Sequence, residues 1–468
     1  MAARRVIVVG GGISGLAAAW ELSGGAEPHA GAPEIVVLEA SGRFGGALRS
    51  DDVAGQVVDM GPDGFLGRRP EALDLCKEAG LEGALVPITA RGASVWSRGR
   101  LRVLPDGHAM GIPTRFWPSA RSGILGLGGS IALARDALLP RPDVRGPIGD
   151  RAIGPLVARK LGHKVVDTLA DPLIGGIHAG SVDDMSAAAV FPPLLAAAQR
   201  RGSLMRALRA EVPRPDPDGP PLFWALHGGM AALVDALVAG LGARGVELRL
   251  SSPVECLGRD GDGWAVIGHA DQRGDAVVVA VPAPSAATLL RSHDDEAAAL
   301  LASIDYASVT LVTFRAPVGC APAELFGTGF LVPRHSAPKG GDPWAVTACT
   351  YLDRKWPHLA RDGQVMLRAS MGRIDDTRPQ QWTDTECAVV AWEELSALIG
   401  LSGQPTEAVV VRHPHGLPQY RVHHLLRTAG VEAAAARLGG VAVAGAAYRG
   451  VGIPACIASG RAAAHAVS

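Results

Sequence analysis

The chain has 468 residues, 48% of them hydrophobic and 19% charged, enough to bury a large core in two or three domains, or in one domain with large insertions. Its 45 Lys and Arg against 46 Asp and Glu leave a net charge of −1, which removes any bulk electrostatic reason to expect a nucleic-acid partner. Six scattered cysteines with no C-x-x-C pair argue against a zinc site or a disulfide framework and suit a reducing cytoplasm, and no run reaches the roughly 20 apolar residues that span a bilayer.

The opening residues read as neither a signal nor a transit peptide, because a strand begins almost at once. Val6 to Val9 is an unbroken β-branched run, the pattern of a strand buried on both faces of a parallel sheet. Gly10, Gly11, Gly12, Ile13, Ser14 and Gly15 follow, and then a good helix former from Ala17 to Leu22. Gly10, Gly12 and Gly15 fit G-x-G-x-x-G in the strand-to-helix context that the motif requires. Gly10 permits the turn, Gly12 the approach of a pyrophosphate, and Gly15 close packing of helix on strand. A second buried strand, Glu34 to Leu38, ends in Glu39 and Ala40, with the acid about 25 residues past the fingerprint, near the spacing of a ribose-binding carboxylate.

Arg43 precedes the doublet Gly45-Gly46, and the turn Gly61-Pro62-Asp63-Gly64 comes shortly after. A nicotinamide enzyme has no reason to place a glycine doublet after an arginine here. A flavoprotein does: the backbone can run along the cofactor while the arginine reaches its pyrophosphate, and the later turn can meet the isoalloxazine ring. Residues 67–210 read as a helical insertion, with helices such as Pro70 to Ala79 and Ile148 to Leu161. The segment Gly123 to Ala134 is too short for a transmembrane helix but suits an interfacial one. Residues 211–221, rich in proline, read as a loop.

The dinucleotide domain then resumes with a helix to Leu241, a strand at Val246 to Leu250, a turn into Val254, a hairpin at Asp260 to Gly263 and a buried run ending at Pro282. Residues 295–405 alternate strands with helices such as Thr383 to Ile399, as an antiparallel-type second domain would. A strand from Val441 to Gly445 and a closing helix after Val451, Gly452 and Ile453 return to the first domain. That helix N-terminus would favour negative charge at the flavin edge. The expected fold class is therefore α/β: a Rossmann-like FAD-binding domain (1–66, 222–294 and 406–468), an antiparallel-sheet substrate domain (295–405) and a helical insertion (67–210).

The combination resembles the oxygen-dependent porphyrinogen oxidases, a branch of the flavin monoamine oxidase superfamily, over nearly the whole chain. The family-specific part is Asp171-Pro172-Leu173-Ile174-Gly175-Gly176-Ile177-His178-Ala179-Gly180, with Met185-Ser186, Phe191-Pro192 and the closing Gly450 to Ile457. The stretch Leu104 to Thr114 is similar to the bacterial subgroup that oxidises coproporphyrinogen III. One departure is His423, where the resemblance leads us to expect a glycine.

The resemblance implies a monoamine-oxidase-type fold, FAD as cofactor, and oxidation of coproporphyrinogen III to coproporphyrin III with three O2 giving three H2O2. The flavin would take a hydride, so no acid–base residue and no triad is expected. Gly175, Gly176 and Ile177 would form the substrate wall, and Arg68 and Arg69 would take propionates, with Arg115 and Arg121 behind them. Tyr448 would pack on the flavin. No metal is expected, since His413, His415, His423 and His424 have no carboxylate or cysteine to complete a site. Alternatives are protoporphyrinogen IX oxidase, an amine oxidase or desaturase, and a non-catalytic flavin-fold binding protein such as the prenyl-GTPase escorts. A cytoplasmic location follows, with peripheral contact of the insertion with a membrane left open, as is the choice between monomer and homodimer.

Overall fold

The computed structural model describes residues 4–27, 31–138, 149–200, 202–212, 219–269 and 271–468. A five-stranded sheet runs in the order Glu247–Arg249, Glu34–Leu38, Arg5–Val9, Ala276–Val279, Val441–Val443, and every neighbouring pair is parallel. Its strands lack polar alternation because both faces are covered. Val6, Val8, Ile35 and Val37 pack under the helices Ile13–Leu22, Ala231–Ala243 and Ile453–Val467. Ile7, Val9, Val36 and Leu38 point the other way, against the helix Ala283–Leu290 and Trp264. This is the crossover architecture that parallel sheets demand.

The second sheet has seven strands, in the order Glu407–Pro418, Tyr306–Pro317, Gln364–Met371, Val346–Tyr351, Gly329–Leu331, Ser94–Ser97, Arg100–Val103. All its pairs are antiparallel except Gly329–Leu331 with Ser94–Ser97. Two expected boundaries shift as a result. Residues 94–103 belong to this sheet rather than to a helical insertion, and the strand Glu407–Pro418 belongs to it rather than to the first domain. Helix Asp384–Ile399 covers it, entered through a reciprocal capping box between Thr383 and Glu386.

The insertion carries its own core, built from helices between Phe116 and Glu211. The expected helix near Gly123 is Gly126–Leu138, and that near Ile148 is Ile153–Leu161. The expected loop at 211–221 falls largely outside the described residues, and Glu211 closes the helix Leu204–Glu211. Val166–Gly175 is a π-helix, a widened form that accommodates Pro172, which has no N–H to give.

Buried polar groups join the three parts. Asp171 of the π-helix meets Arg334 (3.3 Å) and Arg373 (3.6 Å), which follow strands of the seven-stranded sheet, and Arg334 also donates to the Gly180 carbonyl at 2.6 Å. The Tyr420 ring stacks on His424 at 3.9 Å and lies 5.8 Å from His178. His423 has the left-handed φ of 70° that suits a glycine, and its N–H donates to Asp150 at 2.7 Å.

Burial, with His424 beside it, pushes the His178 imidazole down to about 4, and burial likewise pushes His424 down to about 4. Burial pushes the Asp59 carboxyl up to about 6. As pH falls below about 6.5 the unfolded chain takes up two protons that the folded rings refuse, so stability is lost toward pH 4. Asp59 acts in the opposite sense, because between pH 6 and 4 only its folded form holds a proton. From these three groups the net is about one proton, roughly 1.4 kcal/mol per pH unit between pH 6 and 4, and the carboxyls of Asp183, Asp353 and Glu394, also raised by burial, offset part of it. Urea unfolding across that range measures it: Asp59→Asn should steepen the loss by about one proton relative to the unsubstituted protein, and an unchanged slope would count against the burial argument.

Candidate cofactor cleft

The site is built from the carboxyl ends of the parallel strands. Gly10 has φ +108°, and a Cβ there would lie 2.6 Å from the Ala280 carbonyl oxygen. A Cβ on Gly15 would lie 1.9 Å from the Gly10 carbonyl oxygen, so only glycine lets the helix start this close to its strand. Gly12 differs from both: a Cβ on it would meet nothing within 4 Å. Its open side faces the cleft. The helix Ile13–Leu22 has no side-chain cap, so its first-turn N–H groups and dipole are left for an anion.

Glu39 accepts hydrogen bonds from the N–H groups of Gly11 and Ser41, both at 2.8 Å, which fixes its carboxylate at the end of the second strand. The Gly45 N–H donates to the Gly11 carbonyl at 2.8 Å, which lays the second glycine doublet on the first loop. Arg43 does not extend toward an anion as expected. Its guanidinium donates to the carbonyls of Gly46 (2.5 Å) and Leu48 (3.2 Å) and so fastens that loop.

Between these parts lies a cleft of about 490 Å³, within the size range of small-molecule sites. Glu39, Ala40 and Val254 line one end, and Gly10, Gly12, Ile13, Ser14, Gly45 and Gly46 line the middle. Pro62, Leu417, Pro418, Gly445, Val451 and Ile453 line the far end. The C-terminal helix begins there, N-capped by Gly452 with no side-chain cap, so a second helix N-terminus faces the same cleft. A long, anion-receptive slot with an acid at one end and an apolar far end fits a dinucleotide that carries a flat ring system.

Several expected residues stand elsewhere. Gly15 packs its helix on the strand as expected, whereas Gly11 packs against protein, as do Gly61, whose Cβ would lie 2.3 Å from the Ala47 oxygen, and Gly64, whose Cβ would lie 2.5 Å from the Trp224 oxygen. The Asp63 carboxylate turns away from the cleft to Lys355, Arg368 and the Trp356 indole N–H, each at 3.0 Å. Burial opposes its charge, yet Lys355 and Arg368 hold it well below the usual carboxylate range. Tyr448 is buried in the core with no partner for its hydroxyl among the described residues, and it does not line the cleft. Tyr306 lines it instead, its hydroxyl accepting from the Ala283 N–H at 2.9 Å.

Gly175 is buried at the end of the π-helix, whereas Gly176 and Ile177 are exposed, and none of the three lines the cleft. Gln419 links the two places, its amide donating to the carbonyls of His178 (2.8 Å) and cleft-lining Leu417 (3.1 Å). Arg68 is exposed, and Arg69 pairs with Glu71 at 2.6 Å; Arg115 lies against Gly107 and Arg121 over Trp117 in the insertion. Among the described residues no group of His, Cys, Asp and Glu is arranged to hold a metal ion. The sequence reading missed Ser285 and His415 as cleft residues. His415 sits at φ 49° where the strand Glu407–Pro418 bulges against Tyr306–Pro317, a register shift that only the pairing reveals. Ser285 follows the end of a parallel strand, and that position is the available sequence signal.

Residues 13–468 match the family described as flavin containing amine oxidoreductase. The coproporphyrinogen III oxidase of Bacillus subtilis (strain 168) is 32% identical, over 98% of this chain and 97% of that protein. The coproporphyrinogen III oxidase of Propionibacterium freudenreichii is 34% identical, over 97% of this chain and 89% of that one. A crystal structure from Exiguobacterium sp. 255-15, provisionally named protoporphyrinogen oxidase, superposes with a TM-score of 0.87 at 30% identity, covering 100% of this chain and 99% of that one. The chain belongs to the flavin-containing amine oxidoreductase family and is an FAD-dependent oxidoreductase.

Proposed function

We propose that the protein oxidises coproporphyrinogen III to coproporphyrin III, with three O2 becoming three H2O2 as six electrons and six protons leave the substrate. The observation that carries this reading is the full-length likeness to coproporphyrinogen III oxidases, joined to the family-type segment Asp171 to Gly180. FAD, when bound, supplies the two-electron acceptor and the route to dioxygen.

The residues of the chain supply position and dryness. Cleft-lining Glu39 takes the adenosine ribose, and the N–H groups after Gly12 take the pyrophosphate. Pro62, Leu417 and Tyr306 shield the far end from water, and the uncapped helix after Gly452 favours negative charge there. The exposed Gly176–Ile177 edge takes the face of the macrocycle, held in register with the cleft by Gln419. Arg68 and Arg69 take propionates.

Peripheral contact with an anionic membrane surface is a second part of the proposal. Trp117, Leu127, Ile131 and Leu138 are 65 to 86% exposed on the insertion. Arg98 and Arg102 lie against Gly123 and Gly126 beside them, Arg121 over Trp117, and none of these arginines is ion-paired among the described residues. Among the described residues no helix is long and apolar enough to cross a membrane.

Aerobic growth of porphyrin fluorescence with coproporphyrinogen III and protoporphyrinogen IX side by side tests the substrate, and a clear preference for the first is expected. A preference for the second would move the reading to protoporphyrinogen oxidation, and no turnover of either by the yellow protein would move it to amines. Gly176→Leu should keep FAD bound while turnover falls at least tenfold, on the order expected when a reactant is held out of place; normal turnover would remove Gly176 from the substrate wall. Co-sedimentation with phosphatidylglycerol vesicles should exceed that with neutral vesicles and drop when Leu127 and Ile131 are both changed to Ser. Equal binding to both vesicle types would argue against the basic face.

A further inference from the structure

The turn that lines the flavin end of the cleft rests on charged groups with no part in the fingerprint. Pro62 faces the cleft, and bonds from the substrate sheet grip the backbone on either side of it. Arg368, on the strand Gln364–Met371 and only 6% exposed, donates to the carbonyls of Asp59 (2.9 Å) and Gly61 (3.2 Å) and pairs with Asp63 at 3.0 Å. Lys355 reaches both Asp63 oxygens at 3.0 Å, with its ammonium 5.0 Å from the Trp356 ring and 5.8 Å from that of Phe223. Asp63 is thus shared between two cations and an indole N–H. The other acid on this turn, Asp59, is turned to the Ser50 hydroxyl and the Met230 N–H. The Met60 carbonyl is taken by His413 at 2.8 Å.

We propose that Lys355 and Arg368 act together as an electrostatic base for the flavin end of the cleft, pinning its floor and raising the reduction potential of the bound FAD. Reduction places negative charge in a largely dry site, where a nearby fixed cation is screened far less than in water. Asp63 and Asp59 offset part of this positive charge, yet each cation still contributes its own field at the floor, which Arg368 meets directly at the Asp59 and Gly61 carbonyls on either side of the turn. Neither residue lines the cleft; both are positioning residues, and the inference rests on FAD occupying the cleft. It goes beyond the substrate reading because it holds whichever reduced compound supplies the electrons.

The test is a dye-coupled reductive titration of the FAD-loaded protein with Arg368→Met, Arg368→Lys and Lys355→Met. Each Met variant should shift the two-electron equilibrium about tenfold toward oxidised FAD, a fall of about 30 mV in midpoint potential. Arg368→Lys should keep the potential within about twofold in that equilibrium, because the charge stays, while the lost bonds to Asp59 and Gly61 lower Tm. That split separates field from fastening. Equal shifts in Arg368→Lys and Arg368→Met, or none in either Met variant, would overturn the proposal and leave the cluster as a fastener only. Should Arg368→Met not fold, Lys355→Met decides, since among the described residues its ammonium bonds no backbone group. A colourless unsubstituted protein would instead sink the FAD reading, so the two failures are distinguishable.

Discussion

The site depends on one approach that only a hydrogen atom permits, that of Gly15 to the carbonyl of Gly10. Any Cβ at Gly15 would lie 1.9 Å from that oxygen. Because the contact exists, the first helix starts directly over the end of its strand, with its unpaired N–H groups turned into the cleft. Other close contacts repeat the device. Gly45 docks on Gly11, and a Cβ on Gly460 of the C-terminal helix would lie 2.1 Å from the Ser14 oxygen. Two helix N-termini can share one narrow slot because the backbones around them are this close.

A second constraint is that the cleft has to meet a separate sheet. The molecule makes that junction with buried charge: Asp171 between Arg334 and Arg373, and Asp63 between Lys355 and Arg368. Such pairs add little net stability over well-packed apolar groups, but removing one partner strands the other charge, at a cost of about 3–5 kcal/mol. Their value here is directional. An apolar seam would tolerate a slip between the parts, whereas a buried ion triad has one low-energy arrangement, and so it fixes the register of the cleft against the second sheet.

The chemistry follows from the same division. Among the described residues the cleft offers no metal centre, and its polar capacity lies mostly in backbone N–H groups and helix termini. That is what a protein needs in order to hold a large anionic cofactor without competing with its redox chemistry. Arg43 illustrates the economy: its charge serves the loop that carries Gly45 and Gly46, and the loop serves the cleft.

The parallel strands, the glycine turn and Glu39 were legible in the sequence because each is a local pattern: a run of apolar residues, a spacing of glycines, an acid at a strand end. The family-type segments at 171–180 and 450–457 were legible for the same reason. What only the tertiary structure decided is where side chains find partners far along the chain. Asp63 sits in a turn that reads as cofactor-facing, yet its carboxylate is drawn away by Lys355 and Arg368, some 300 positions later. Tyr306 lines the cleft where Tyr448 was expected, and the strands at 94–103 and 407–418 join a sheet assembled mostly from other segments. Periodicity shows which residues a segment will bury. It carries no information about which distant charge or strand edge will be there to meet them, and that is settled only when the sheets close on one another.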